Sequence, residues 1–463
     1  MFERVFKLSE HKTTVKTEVM AGITTFMTMA YILAVNPSVL GSTGMDTTAV
    51  LLATALASCL GTLCMAFMAN LPFALSAGMG LNAFMAYTVV AGYGYSWQVA
   101  LLAVFIEGLI FIVLSLTNIR EAIFNAIPLT LKKGVSVGIG LFIAFIGLQN
   151  SGLCVDSATL VGIISFPENF HTAGICALLT LIGLFFTAVF YTRKMKGAIL
   201  YGILLTWILG MLCQVTGLYV PTPDAGFYSL FPSWGMTDFS KLGLTFGQCF
   251  NVDFSAVGIV NFIVVIFSFL FVDIFDTLGT LIGVATKAKM LDKDGKLPGI
   301  KPALLADSIA TSAGAILGTS TTTTFVESAS GVAVGGRTGL TALVTGILFL
   351  VSTLFAPIFT AIPSFATAPA LIMVGFLMVG TVTAIIAMPG WTRSGCPDRV
   401  HPGLSRHHRY AAVLQHLRGY LSGRYLLRSA ECCSRQGQEG CSADVRSGST
   451  VRTQVYLPLI QKS

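Results

Sequence analysis

Apolar runs of about 18–23 residues follow one another from residue 18 to residue 389, each long enough to cross a bilayer as a helix. Backbone placed in hydrocarbon must satisfy its own hydrogen bonds, so a chain of this kind is confined to spanning helices or a closed barrel. Runs of this length read as helices, near 18–39, 47–69, 72–91, 97–117, 127–149, 173–191, 197–217, 256–285, 302–316, 320–332, 338–360 and 367–388. Composition agrees: 54% of residues are hydrophobic and 11% charged, against roughly 25% charged in soluble domains, and mean hydropathy is +0.79. The expected fold class is an all-α polytopic membrane protein.

The segment 1–17 carries Glu3, Arg4, Lys7, Glu10, Lys12 and Lys16, too much charge for a cleavable secretory signal. Arg120/Lys132/Lys133, Arg193/Lys194/Lys196, Lys287 to Lys301 and Arg337 all fall in even-numbered loops. The Ser151–His171 and Tyr219–Phe254 connections are sparse in Lys and Arg. The positive-inside rule then puts the N-terminus in the cytoplasm. Cys59, Cys64, Cys176 and Cys213 lie in spans and read as core fillers, with no metal or disulfide spacing. No nucleophile–base constellation or cofactor fingerprint is present, and the Gly331–Gly339 run lacks the Gly-Lys-Ser/Thr ending of a phosphate loop. The chain is not read as an enzyme and is expected to need no cofactor.

Two acidic stretches stand out. Asp273 and Asp276 sit in Phe269–Leu281, and Glu327 follows the Thr-rich run Thr319–Thr324. A carboxylate in a span costs about 2.5–3.5 kcal/mol or more, so by default it faces a bundle interior or wet cavity and marks a pathway. Asp276 and Glu327 are therefore expected to line a substrate site. Two spans are broken in the same way: Leu71–Ala83 is rich in Gly and Pro, and the run before Glu327 is polar and β-branched. These are spans three and ten, an odd offset of seven that would invert the second copy. Paired interrupted segments in inverted halves point to a transporter's binding site. Half-helices starting near Gly80 and Phe325 would aim backbone N–H groups at a ligand.

The end of the chain departs from this pattern. All 33 Phe occur by Phe376, and after Gly390 ten Arg and one Lys against four acids supply the whole net charge of +7. Basicity therefore says nothing about nucleic acid. Suitable codons for His401 to Glu431, read one nucleotide later, spell a membrane-like sequence, so residues 390–463 read as an aberrant, frame-shifted basic tail.

Thr24–Ile32 with Val35-Asn36-Pro37, Gly78–Ala83, Val272–Leu281, Glu327–Gly331 and Gly335–Leu340 together resemble the AzgA-like purine nucleobase permeases, of guanine/hypoxanthine type, in the nucleobase–cation symporter superfamily. The resemblance runs colinearly from Phe2 to about Gly380. It implies two inverted seven-span repeats divided into core and gate domains, with short strands in spans three and ten. On that plan residues 18–217 form the first repeat, 218–255 an extracytoplasmic loop and 256–389 a second repeat whose last two gate spans are lost to the altered C-terminus. It implies import of a purine nucleobase by proton symport at the plasma (inner) membrane, with Na⁺ open as coupling ion and a homodimer allowed. Asp276 aligns with the family's substrate-contacting acid. Glu327 can accept two parallel hydrogen bonds, as from guanine N1–H and its amine, and Asn82 can offer donor and acceptor to a purine edge. Phe325 and Phe26 could stack on the base, and Thr324 belongs to the contacting strand. Asp273, Asp276, Asp307 and Glu327 are the expected proton carriers; Glu107 is a further membrane acid with no motif tying it to substrate. The alternatives are a carrier of the same fold for adenine, uracil/xanthine or an anion, and a non-transporting protein.

Overall fold

The computed structural model describes residues 2–117, 129–157, 160–222, 227–232, 235–253, 257–288, 290 and 297–379. The tail from residue 390, with its frame-shift reading, lies outside the described residues, as does the twelfth span beyond Val379. In chain order the main helices are α1 (Phe2–Phe6), α2 (Val15–Met29), α3 (Ile32–Gly41), α4 (Thr47–Cys64), α5 (Met79–Ala83), α6 (Trp97–Leu116), α7 (Leu129–Asn150), α8 (Ile175–Thr192), α9 (Ala198–Val215), α10 (Ile259–Ala288), α11 (Ile300–Leu317), α12 (Ser328–Val334), α13 (Gly339–Ser352) and α14 (Ser364–Val379). The strands are β1 (Leu75–Ala77), β2 (Val155–Ser157), β3 (Leu160–Gly162) and β4 (Thr322–Thr324). Eight helical segments among the described residues are long and apolar enough to cross a membrane, so the chain is a mostly helical, multi-pass membrane protein.

Local chemistry starts these helices. Thr14, Asp46, Ser96 and Thr338 cap α2, α4, α6 and α13, each side chain accepting from a backbone N–H of the first turn, donors that otherwise have no partner inside the helix. The first span is not one helix: α2 ends at Met29 and α3 starts at Ile32, with the break at Ala30-Tyr31. The loop 151–171 contains the antiparallel pair β2–β3.

Inside the bundle β1 and β4 pair antiparallel, Leu75 opposite Thr324, Ser76 opposite Thr323 and Ala77 opposite Thr322. Two three-residue strands would not hold by themselves. Side chains and flanking backbone complete the bonding. Thr62 Oγ1 accepts from Leu75 N–H at 3.0 Å and lies 3.2 Å from Leu75 O as donor. Ser58 and Ser76 hydroxyls bond at 2.7 Å, and Thr311 donates to Thr322 O at 3.0 Å. Gly78 N–H donates to Thr321 O and Phe325 N–H to Ala74 O, while Ala74 N–H reaches Ser328 Oγ. Non-helical backbone at membrane depth is tolerated only with this kind of protein cover.

Helices pack in two groups. α2, α3, α4, α6, α11, α12 and α13 surround the strand pair; α7, α8, α9 and α14 pack on one another; α10 runs between, touching α6, α7, α12 and β4. Helix pairs approach through glycine. A Cβ on Gly183 of α8 would meet Thr206 of α9, and one on Gly202 of α9 would meet Thr187 of α8. This reciprocal Gly-xxx-Thr seam lets two backbones close without a hydrophobic driving force, which the bilayer does not supply. Each Thr hydroxyl turns back on its own helix, to Gly183 O and Gly202 O at 2.7 Å.

Candidate substrate site

The strand pair fixes the site. β4 presents Thr323 to α10, where its hydroxyl donates to Asp276 Oδ2 at 3.3 Å. Two residues earlier, Thr321 donates to Glu107 Oε2 at 2.8 Å. Residues two apart in extended chain share a face, so one face of β4 and the residue leading into it meets two carboxylates carried on spans. Glu327 is the residue before α12. The Tyr31 hydroxyl, at the break of the first span, donates to Glu327 Oε1 at 2.8 Å, and Thr28 Oγ1 lies 3.5 Å from Glu327 O. Asp307 and Glu327 are both in electrostatic reach of Asp276. Asp276 and Glu327 are each partly exposed.

Behind Asp276, one helical turn along α10, Asp273 is fully buried with Asp307 of α11. Thr277 Oγ1 links them, 2.9 Å from Asp273 Oδ1 and 3.2 Å from each oxygen of Asp307. One hydroxyl hydrogen cannot serve three acceptors at once, so Thr277 bridges the two carboxylates without satisfying every one of these contacts. Ser308, next to Asp307, bonds Ser115 of α6 at 3.3 Å. Among the described residues no three His, Cys, Asp or Glu converge so as to hold a metal ion.

The remaining expected residues divide. Asn82 is buried on α5, and Ser320 donates to its Oδ1, so the carboxamide faces the turn leading into β4. Thr324 is buried opposite Leu75, and its hydroxyl finds no partner among the described residues. Phe325 is 6% exposed and belongs to the hydrophobic core. Phe26 packs edge-to-face on Phe349 with centroids 5.3 Å apart. It lines an apolar crevice of about 260 Å³ with Leu348, Phe355 and Phe359, which none of the acids lines. The N–H groups opening α12 also differ from expectation: Ser328, Ala329 and Ser330 donate to Phe325, Val326 and Glu327 carbonyls. A tight first turn consumes them, so those amides are not free for a ligand.

Sequence reasoning missed Tyr31 and Thr323 as partners of the two acids. Tyr31 lay inside the Thr24–Ile32 motif, but nothing in sequence separates a Tyr that reaches across 296 positions from one facing lipid.

The sequence pattern described as the permease family matches residues 16–388. The chain is similar to the guanine/hypoxanthine permease PbuG of Bacillus subtilis (strain 168), with 46% identity over 390 residues covering 82% of this chain and 84% of that protein. It is similar to the adenine permease AdeP of Escherichia coli (strain K12), with 42% identity over 389 residues covering 83% and 82%. Among solved structures it resembles the transmembrane domain of a cyanobacterium bicarbonate transporter, BicA, with a TM-score of 0.57 at 16% identity, covering 83% of this chain and 91% of that one. At that identity the likeness speaks for the fold alone.

Proposed function

Because this chain belongs to the permease family and is therefore a transporter rather than an enzyme, we propose that it imports purine nucleobases, guanine or hypoxanthine first, by proton symport. The observation that carries the reading is the pair of carboxylates facing the β1–β4 crossing, Asp276 held by Thr323 and Glu327 held by Tyr31. With Oε1 accepting from Tyr31, the Glu327 carboxylate receives a purine N–H, and Asn82 and Thr324 complete the polar edge. Asp276, backed by Asp273 and Asp307, carries the proton, with Glu327 as a second carrier. A flat heterocycle then sits mid-bilayer with no covalent chemistry. Neutralising buried acid lowers the cost of moving the site past the surrounding helices. Phe325 and Phe26 contribute through packing, since their contacts lie in the core and the apolar crevice.

On this reading the group around the strand pair is the core and the group of α7, α8, α9 and α14 belongs to the gate. Residues 18–217 and 256–389 are the inverted repeats, joined by the 218–255 loop, in the plasma membrane with segment 1–17 cytoplasmic. The relative of 42% identity named for adenine favours one second reading, a carrier of adenine through the same site. The test is initial-rate uptake of radiolabelled guanine, hypoxanthine and adenine at two pH values, in cells lacking their own purine permeases. Guanine uptake that rises as external pH falls is expected. Adenine alone competing would replace the first reading with the second, and no purine uptake would overturn both. Residues 390–463 are proposed to be frame-shifted, which sequencing the coding DNA and assaying the frame-restored chain would test.

A further inference from the structure

Glu18 is buried without any exposed surface in the first turn of α2, yet the substrate reading gives it no role. Its carboxylate is fully engaged. Oε1 accepts from Arg337 N–H at 2.9 Å; Oε2 accepts from the Thr341 hydroxyl at 2.6 Å and from Thr338 N–H at 3.3 Å. These donors belong to the hinge between α12 and α13 and to the opening turn of α13, where helix N–H groups lack partners and negative charge is favoured. The Arg337 guanidinium turns the other way, donating to Val332 O at 2.8 Å and Gly336 O at 2.7 Å, so it closes the C-terminal end of α12. The chain reverses at Gly335, whose φ of +121° lies where side chains rarely go. The fit against α2 is close: a Cβ on Gly331 would strike Thr25 and Ala21, and one on Gly336 would strike Ala21 and Thr341.

At its other end the same α2, with the Tyr31 break that follows it, grips Glu327 through Tyr31 and Thr28. The seven-residue α12 is too short to hold its own orientation as an isolated helix. One neighbouring span therefore fixes both of its ends. We infer that Glu18 is a positioning residue for the substrate site: by clamping the Arg337–Thr338 hinge to α2 it holds α12 in place, and through α12 the Glu327 carboxylate. The inference rests on the proposed transport function for its kinetic readout, and on geometry alone for its structural one.

Two measurements on the full chain test it. Amide hydrogen exchange over 328–341 in reconstituted protein reports the clamp; initial-rate guanine uptake, normalised to inserted protein, reports its consequence. Glu18→Ala strands three donors, so faster exchange over 328–341 and a KM raised roughly tenfold are expected. Glu18→Gln, which keeps one acceptor oxygen, should rescue KM to within about threefold. Thr341→Val removes a single donor without changing shape; it should shift both readouts the same way by less, and it decides the matter if the alanine variant fails to insert. Exchange unchanged in Glu18→Ala and Thr341→Val, or KM unchanged while Vmax merely tracks the inserted amount, overturns the inference. Faster exchange in Glu18→Ala with no purine uptake by the wild-type chain would leave the clamp standing and overturn the transport reading instead.

Discussion

A carboxylate inside a membrane bundle is defined by who holds it. Glu327 is held by Tyr31, one hydroxyl placed at a break between two helices, at 2.8 Å. Hydrogen bonds to charged groups contribute about 1.5–3 kcal/mol, so Tyr31→Phe should leave insertion intact and weaken purine binding by one to two orders of magnitude in KM, measured by radiolabelled uptake. Asp276 has a longer bond, 3.3 Å from Thr323, and its proposed duty is to carry a proton. Asp276→Asn is therefore expected to retain purine binding in detergent, read by calorimetry, while abolishing pH-driven accumulation. Loss of binding with transport of the residual fraction still coupled would show that Asp276 is a ligand alone. Glu327→Gln should behave in the opposite manner, with binding lost first.

At the scale of elements, stability and motion both depend on how closely helices approach. The α8–α9 pair meets through Gly183, Thr187, Gly202 and Thr206. Gly202→Val inserts methyls where Thr187 already sits, and overpacking of this kind costs about 1–3 kcal/mol. A lowered unfolding temperature of the detergent-solubilised protein is expected, larger than for Gly134→Val, whose added Cβ would meet nothing within 4 Å. The strand pair shows a related economy. Each strand is three residues long, and its retention depends on hydroxyls from α4 and α11, Thr62, Ser58 and Thr311. Thr62→Val leaves Leu75 N–H without that partner in a buried place, so faster amide exchange at Leu75 is expected.

At the scale of the whole molecule, two packed groups of helices flank α10, which carries Asp273 and Asp276. The proposed symport needs one group to move against the other while the proton is bound. An imposed inward proton gradient should drive guanine accumulation in proteoliposomes, and a protonophore should collapse it; accumulation that follows a Na⁺ gradient instead would replace the coupling ion.

Much of this was legible in the chain. The helices sit where apolar runs are long enough to cross a bilayer, and the two broken segments announce themselves by the clustering of Gly and Pro in one and of Thr in the other. The purine permease resemblance rested on motifs that the family match covers. Burial cost alone marks Asp273, Asp276, Asp307 and Glu327, because an acid in hydrocarbon needs a reason. Partnership is another matter. Which hydroxyl bonds which carboxylate, that Phe26 lines an apolar crevice, that Glu18 in the first turn of the first span clamps residues more than 300 positions away: these depend on helix crossings and on the register of β1 against β4. Hydrophobic length is a local property and is written in sequence. Distances between side chains on different spans are set only when the bundle closes.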